Sequence, residues 1–289
     1  MTSGTIVMLG AEAGSPPEQF VLEAQRAATL DLIRLVQSHL STTIILSSPD
    51  VSWCSQDFDV MREVDPPGEP FHFGTRLADL IEKYELERVM YFGGGSAPLL
   101  DNQLMDMIAG FILNAGSSSG FASIPSHIVL ASNRHSSDWA CISQVHEALP
   151  FIRQQARDNS LAWVLGESGK YDVRIPAGLR PATSMDIDTP SDLAIVGAHP
   201  DCPTHLRDYL QNVDLGVIPV KGVVEAFRRE ASQVSIIGRV SPLAWQAVNK
   251  VTRCWIRVFA EERGMVASER VERGEVRSLL GELLKVKGA

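Results

Sequence analysis

Along residues 1–200, short runs of β-branched and apolar residues alternate with longer stretches whose apolar positions recur at helical spacing. Thr5 to Leu9 (TIVML) predicts a buried strand. It enters Gly10-Ala11-Glu12-Ala13-Gly14-Ser15-Pro16-Pro17, a loop by composition. Residues 18–40 then place Leu22, Ala28, Leu32, Leu35 and Val36 on or near one face and predict a helix. Thr42 to Leu46 (TTIIL) predicts a second strand. Strand, loop, helix, strand is the opening of a parallel sheet with crossover helices.

The rhythm continues with a helix over 75–86 and a strand at Arg88 to Phe92 (RVMYF). That strand ends in Gly93-Gly94-Gly95-Ser96-Ala97-Pro98, and a helix spans Asp101 to Leu113. Gly116 to Gly120 reads as a surface link. His127 to Ala131 (HIVLA) predicts a fourth strand, and residues 143–157 contain helix. Leu161 to Leu165 and Tyr171 to Ile175, on either side of Gly166-Glu167-Ser168-Gly169, predict a hairpin-like β arm. After Pro200-Asp201-Cys202-Pro203 the character changes. Helical signals fill 204–231 with a break at Gly216 to Pro219. Then come a strand at Val234 to Ile237, a helix over 243–252, a strand at Trp255 to Ala260 and a helix at Glu275 to Val286. The expected architecture is a three-layer α/β/α domain over 1–200, Rossmann-like with a mostly parallel sheet. An α/β extension over 201–289 would serve as a lid, in packing or in dimerisation.

Composition narrows the function. Hydrophobic content of 45% and charged content of 21% are those of a soluble globular protein. A net charge of −9 argues against nucleic-acid or anionic-membrane binding, both of which want a basic face. A small phosphate ligand, needing only a few local donors, stays compatible. Cys54, Cys141, Cys202 and Cys254 form no CxxC, so no zinc signature exists. No signal-peptide core and no bilayer-length apolar run is visible, and a cytoplasmic protein with reduced thiols is expected. GAEAGS is not GxGxxG, and LGESGKYD lacks the first glycine and the Ser/Thr of a Walker loop. Neither GxSxG nor HExxH occurs.

The candidate chemistry centres on Asp186-Ile187-Asp188-Thr189-Pro190-Ser191-Asp192-Leu193. Thr189 suits an N-cap, Pro190 the first helical position and Asp192 the third. Asp186 and Asp188 fall on one side of an extended segment. Two such carboxylates repel unless a cation or a proton lies between them. Mg²⁺ favours this oxygen chemistry, with one or two protein ligands and the rest from water and phosphate. A helix start with acids placed to suit its dipole accounts for the same residues. Asn133-Arg134-His135-Ser136-Ser137-Asp138-Trp139 follows a strand, where open α/β sheets bind ligands. Asn133, Arg134, His135 and Asp138 are substrate-binding candidates there, with Trp139 for stacking. The competing reading is a turn with Asp138 capping the next helix. Asp57-Phe58-Asp59 has metal-site spacing but reads as a solvated loop. In the tail, Arg239, Arg257 and Glu262 could pair with each other or with a second subunit, leaving a homodimer open, and Trp245 and Trp255 read as core.

Three segments carry a resemblance to a known family. TIVMLGAEAGS lies where MobA-like nucleotidyltransferases place their first strand and nucleotide loop. RVMYFGGGSAPLLDNQLMDMI is similar to their strand, Asp-x-Pro turn, two leucines and helix. DIDTPSDLAIV resembles the late signature of this group and of sugar-acid cytidylyltransferases. The resemblance implies a GT-A fold and transfer of an NMP from a nucleoside triphosphate to a small phosphorylated or acidic acceptor. It puts Gly10, Ala11 and Gly14 along the nucleotide and Gly93, Gly94, Gly95 and Ser96 beside the phosphates. Asp186 and Asp188 would hold Mg²⁺. The sequence departs from the family in two places. Pro16-Pro17-Glu18-Gln19 stands where the phosphate-binding Arg and Lys are expected, and GGGSAP lacks the metal Asp. Arg26, Arg76 and Arg134 are candidate replacements for the cations. The alternatives are a catalytically silent nucleotide- or sugar-nucleotide-binding protein on the same scaffold, and a GT-A glycosyltransferase.

Overall fold

Seven strands form one sheet in a computed structural model that describes residues 2–10, 13–66, 70–114, 125–216, 218–261, 265 and 269–288. In chain order the first part runs β1 (Ser3–Met8), α1 (Pro16–His39), β2 (Thr43–Ser48), β3 (Met61–Val64), α2 (Phe73–Lys83), β4 (Arg88–Gly93) and α3 (Asn102–Asn114). It continues with β5 (Ile128–Ala131), β6 (Trp139–Ile142), α4 (Val145–Ile152), α5 (Leu161–Glu167), β7 (Asp172–Arg174), α6 (Pro190–Gly197) and α7 (Thr204–Leu210). The strand order is β3-β2-β1-β4-β6-β5-β7. Every pairing is parallel except those of β6, which runs antiparallel to both β4 and β5.

Alternation along the strands sends residues to opposite faces. Ile6, Met8, Val89, Tyr91, Val129 and Ala131 pack under α2, α4 and α5. Their neighbours Val7, Ile44, Leu46, Met90 and Phe92 are buried from the other side. Both faces are covered, as a mostly parallel sheet requires. On that other side α1 packs against α3, α6 and α7. This is the three-layer α/β/α arrangement expected from the pattern.

Three expectations are corrected. Strand β6 was not foreseen. Only the short link 132–138 separates it from β5, too little for a crossover, so it turns back antiparallel. The β arm over 161–175 is instead α5 followed by β7, and β7 pairs parallel with β5. A five-residue apolar run does not distinguish strand from helix, and here Leu161, Ala162 and Leu165 bury a helical face. The domain boundary moves as well. The chain divides into Met1–Gly216 and Val217–Ala289, not after residue 200. Cys202 and Leu206 are buried with Val21, Ala24 and Ala28 of α1. Asp31 of α1 also accepts the Leu206 N–H at 3.0 Å, which ties α7 to the first unit.

The second unit contains α8 (Val220–Arg228), β8 (Gln233–Gly238), α9 (Pro242–Val251), β9 (Trp255–Ala260) and α10 (Leu279–Lys287). β8 and β9 are parallel, with α9 as their crossover. Trp255, Arg257 and Phe259 alternate on an exposed face, and Ile256 and Val258 face the other way, half-buried. Trp255 is 69% exposed, which corrects its reading as core. Glu262 lies outside the described residues. Among the described residues no helix is long and apolar enough to cross a membrane.

Candidate functional site

The glycine turn after β4 is fastened between two neighbouring strands. Gly94 donates its N–H to Met8 O of β1 at 2.8 Å, and Gly93 donates to Asp138 O, just before β6, at 2.9 Å. A Cβ on Gly94 would lie 2.1 Å from Leu9 Cδ1 and 3.0 Å from Leu9 Cα, so no side chain fits. Gly95 has φ +80°, and a Cβ there would meet Gln25 Cγ of α1 at 2.6 Å. Ala97 also sits in the left-handed region, φ 47°, a strain of about 1 kcal/mol for a residue with a Cβ. The strained turn is held by the segment ahead of α6. Ser96 forms an antiparallel bridge with Asp186, and Ala97 donates its N–H to Met185 O at 3.0 Å. Gln25 Nε2 donates to Ile187 O at 2.7 Å, joining α1 to the same segment.

Four aspartates converge on this turn. Asp186 reaches it through the Ser96 bridge. Asp138 reaches it through the backbone bond to Gly93. Asp158, in a single 3-10 turn (Asp158–Ser160), accepts the Tyr91 hydroxyl at 2.7 Å, and a Cβ on Gly93 would stand 3.7 Å from the same carboxylate oxygen. Asp138 and Asp158 are linked by polar side chains: Ser136 Oγ lies 3.4 Å from Asp138 Oδ1 and 3.0 Å from Asn159 Oδ1, and Asn159 Nδ2 donates to Asp158 Oδ1 at 3.2 Å. Asp188 is near enough to act on both Asp138 and Asp186.

Their proximity shows in their acidity. Burial first, then repulsion from Asp138 and Asp188, raises Asp186 to about 8, against the opposing pull of the Ile187 N–H at 3.0 Å. Burial and repulsion from Asp158 and Asp188 raise Asp138 to about 6. Burial and the nearby Asp158 hold the Tyr91 hydroxyl protonated, well above its ordinary range. Carboxylates in such an environment take up protons or a cation. Among the described residues, no group of three His, Cys, Asp or Glu side chains stands ready to hold a metal ion alone. Mg²⁺ does not require that, because water and phosphate oxygens supply most of its shell. The donor set, hard oxygens short of positive charge, therefore fits a hydrated divalent cation brought in with a phosphate.

The sequence-derived candidates divide accordingly. Gly93, Gly94, Gly95, Ser96, Asp138 and Asp186 come together, with Asp188 beside them. The described residues of the first loop are placed differently. Gly10 is exposed with nothing within 4 Å of a Cβ position, and Ala11 lies outside the described residues. Gly14 N–H and Ser15 Oγ both donate to Glu18 Oε2 at 2.9 Å. A carboxylate of the chain thus occupies the donors at the start of α1, where Pro16 and Pro17 offer none. Asn133, Arg134 and His135 turn to a different task. Asn133 Oδ1 accepts the His135 N–H at 2.9 Å, and Arg134 pairs with Glu167 at 3.2 Å while lying 5.3 Å over Trp163. The His135 ring stacks on the same indole at 4.7 Å. Trp139 is fully buried, which removes it as a stacking platform, and Asp138 precedes a strand and caps no helix. Thr189 and Asp192 do form the expected capping box, which accounts for Asp192 but not for Asp186. Two site residues escaped the sequence reading. Tyr91 could have been suspected as a polar tip inside an apolar strand. Nothing local marks Asp158.

The other arginines are engaged as well. Arg26 pairs with Glu23 at 2.9 Å and Asp50 at 3.2 Å. Arg76 bonds Asp65 Oδ1 and Ser47 Oγ, both at 2.9 Å. With side chains only 13% and 10% exposed, Arg76 and Asp65 form a largely enclosed pair. Arg76→Met is expected to leave Asp65 without its cation, with only the Ser47 hydroxyl bonded to it at 2.6 Å, and cost about 3 kcal/mol in urea unfolding; a loss near zero would return Arg76 to the list of ligand-binding groups. A cavity of about 410 Å³ lies between α6 and α7 and one of about 340 Å³ along α1, and neither is lined by the four aspartates of the turn.

No protein-family model matches the chain. No curated protein matches it in sequence either. Solved structures do resemble it. One is a protein provisionally named a nucleotide-diphospho-sugar transferase from Desulfovibrio desulfuricans G20: 10% identity, TM-score 0.49, covering 74% of this chain and all of that one. A CMP:2-keto-3-deoxy-manno-octonic acid synthetase complexed with CTP has 10% identity and a TM-score of 0.47, covering 74% of this chain and 100% of its own. A cytidylyltransferase from Leptospira borgpetersenii has 12% identity and a TM-score of 0.43, covering 73% of this chain and 94% of its own. At such identities and scores, none of these likenesses assigns an activity to the chain.

Proposed function

We propose that the aspartate-lined turn binds a Mg²⁺–nucleoside triphosphate and transfers the nucleoside monophosphate to a small phosphorylated or acidic acceptor, releasing pyrophosphate. One observation carries this reading: half-buried aspartates that repel one another gather at the end of the sheet around a turn with no room for a side chain at Gly94 or Gly95. The resemblance of DIDTPSDLAIV to the MobA-like late signature agrees with it. Asp186 and Asp188 would hold the cation, which when bound neutralises phosphate charge in an in-line displacement. The chain's own part is positioning. Gly94 and Gly95 let the turn close against Leu9 and Gln25, and the Gln25–Ile187 bond keeps Asp186 in register with the turn. The acceptor oxygen bonds to the α-phosphorus as the bond to the pyrophosphate oxygen breaks.

Glu18 favours a second reading, a protein that binds the nucleotide without turning it over. Its carboxylate takes the loop donors that a phosphate would use. Thermal shift with each nucleoside triphosphate, and with sugar nucleotides, with and without Mg²⁺, is the first test; ligand at 100 times Kd adds about 2.7 kcal/mol. Pyrophosphate release over a panel of acceptors is the second. Mg²⁺-dependent release establishes transfer. A Mg²⁺-dependent shift without release establishes the silent binder, and no shift with any nucleotide ends both readings.

A further inference from the structure

We infer that the Ser96 hydroxyl is a cation-binding group that takes a divalent cation jointly with Asp186. The inference deepens the cation reading above and rests on it. Ser96 is 4% exposed, and its Oγ is buried with no hydrogen-bond partner among the described residues. Burying a hydroxyl without a partner is unfavourable, and alanine would fill the same space without that penalty. A serine kept for structure would bond a neighbouring carbonyl, as Ser143 does with Ser126 O at 2.6 Å.

Its neighbour sharpens the point. Facing residues of an antiparallel bridge project to the same side, so the Ser96 and Asp186 side chains stand next to each other. Yet the hydroxyl does not bond to the carboxylate. Two hard oxygen donors thus stand on bridged residues with no hydrogen bond between them. A divalent cation, with oxygen ligands at about 2.1 Å for Mg²⁺, satisfies both. The surroundings hold this pair in place on both sides. Gly95 and Ala97, the residues flanking Ser96, both adopt positive φ. Gln25 and Met185 anchor the two halves of the bridge.

Mn²⁺ binding to the full chain, read by the paramagnetic resonance of the free ion with and without a mixture of nucleoside triphosphates, tests the inference. Ser96→Ala is expected to weaken Mn²⁺ binding about tenfold while leaving the metal-free melting temperature equal or higher. Ser96→Cys adds a readout that packing does not move. A thiolate prefers soft ions, so this variant is expected to gain Cd²⁺ affinity with an ultraviolet sulfur-to-metal band. Wild-type Mn²⁺ affinity in Ser96→Ala, or Cd²⁺ bound to Ser96→Cys without that band, overturns the inference and leaves the cation reading standing. Absence of Mn²⁺ binding to the wild type under both conditions overturns the two together.

Discussion

Without divalent cations, the melting temperature of the protein falls as the pH is raised from about 5 to about 9, and Mg²⁺ restores it. The sign follows from the direction of the shifts. An aspartate unfolded in water ionises near pH 3.8, but in the fold Asp138 and Asp186 stand at about 6 and about 8. The native state therefore binds more protons than the unfolded chain across this range, and stability drops as they leave. The contribution is fully present below the unfolded value and lost as the pH passes the two folded ones. Because both groups share one repulsion, their shifts do not add in full; about 4 kcal/mol is expected over the range. Asp186→Asn removes the larger shift, so the profile flattens above about pH 6 and the Mg²⁺ effect disappears. A melting temperature that is flat or rises over the same range, in protein stripped of cations, would show that these carboxylates do not repel as the geometry requires.

Gly74→Ala is expected to be the most damaging conservative change in the first unit. A Cβ at Gly74 would stand 1.8 Å from Ile152 O and 2.8 Å from Gln155 O, both of them backbone. Neither can rotate away as a side chain would. Gly74 also donates its N–H to Gln155 O at 2.8 Å, so α2 and the end of α4 would have to separate and give up that bond. The expected cost is about 4 kcal/mol, seen as a lower urea midpoint with an unchanged slope. The damage reaches the site, because Phe73 meets Tyr91 edge-on at 5.0 Å and Tyr91 holds Asp158. Weaker Mn²⁺ binding should accompany the loss of stability. Gly110→Ala in α3 is the control. Nothing lies within 4 Å of its Cβ position, and helix propensity alone should stabilise the protein by about 0.5–1 kcal/mol. Equal effects of the two substitutions would refute the close approach at Gly74.

The first loop shows how far a motif can be read without coordinates. Its strand and helix were legible because TIVML is continuous and the helix that follows repeats its apolar face. What its donors bind was not. Ser15 and Glu18 have the spacing of a helix-capping pair, and the structure turns the glutamate back onto Gly14 and Ser15. The same limit applies to Arg76, a candidate phosphate ligand in one dimension and the ion-pair partner of Asp65 in three.

By itself the sequence determined the alternation of strands and helices, the three-layer class, the capping box at Thr189 and the pairing of Asp186 and Asp188 just ahead of that helix. These are local properties: periodicity, turn chemistry and the spacing of charges along one segment. Only the tertiary structure decided that β6 runs backwards, that α7 belongs with α1, and that Asp138 and Asp158 meet Asp186 around the β4 turn. Those outcomes depend on contacts between residues far apart in the chain. The repulsion that keeps a proton on Asp186 comes largely from Asp138, with Asp158 adding to it. No window of sequence contains that group of charges, because packing the helices over both faces of the sheet is what brings them together.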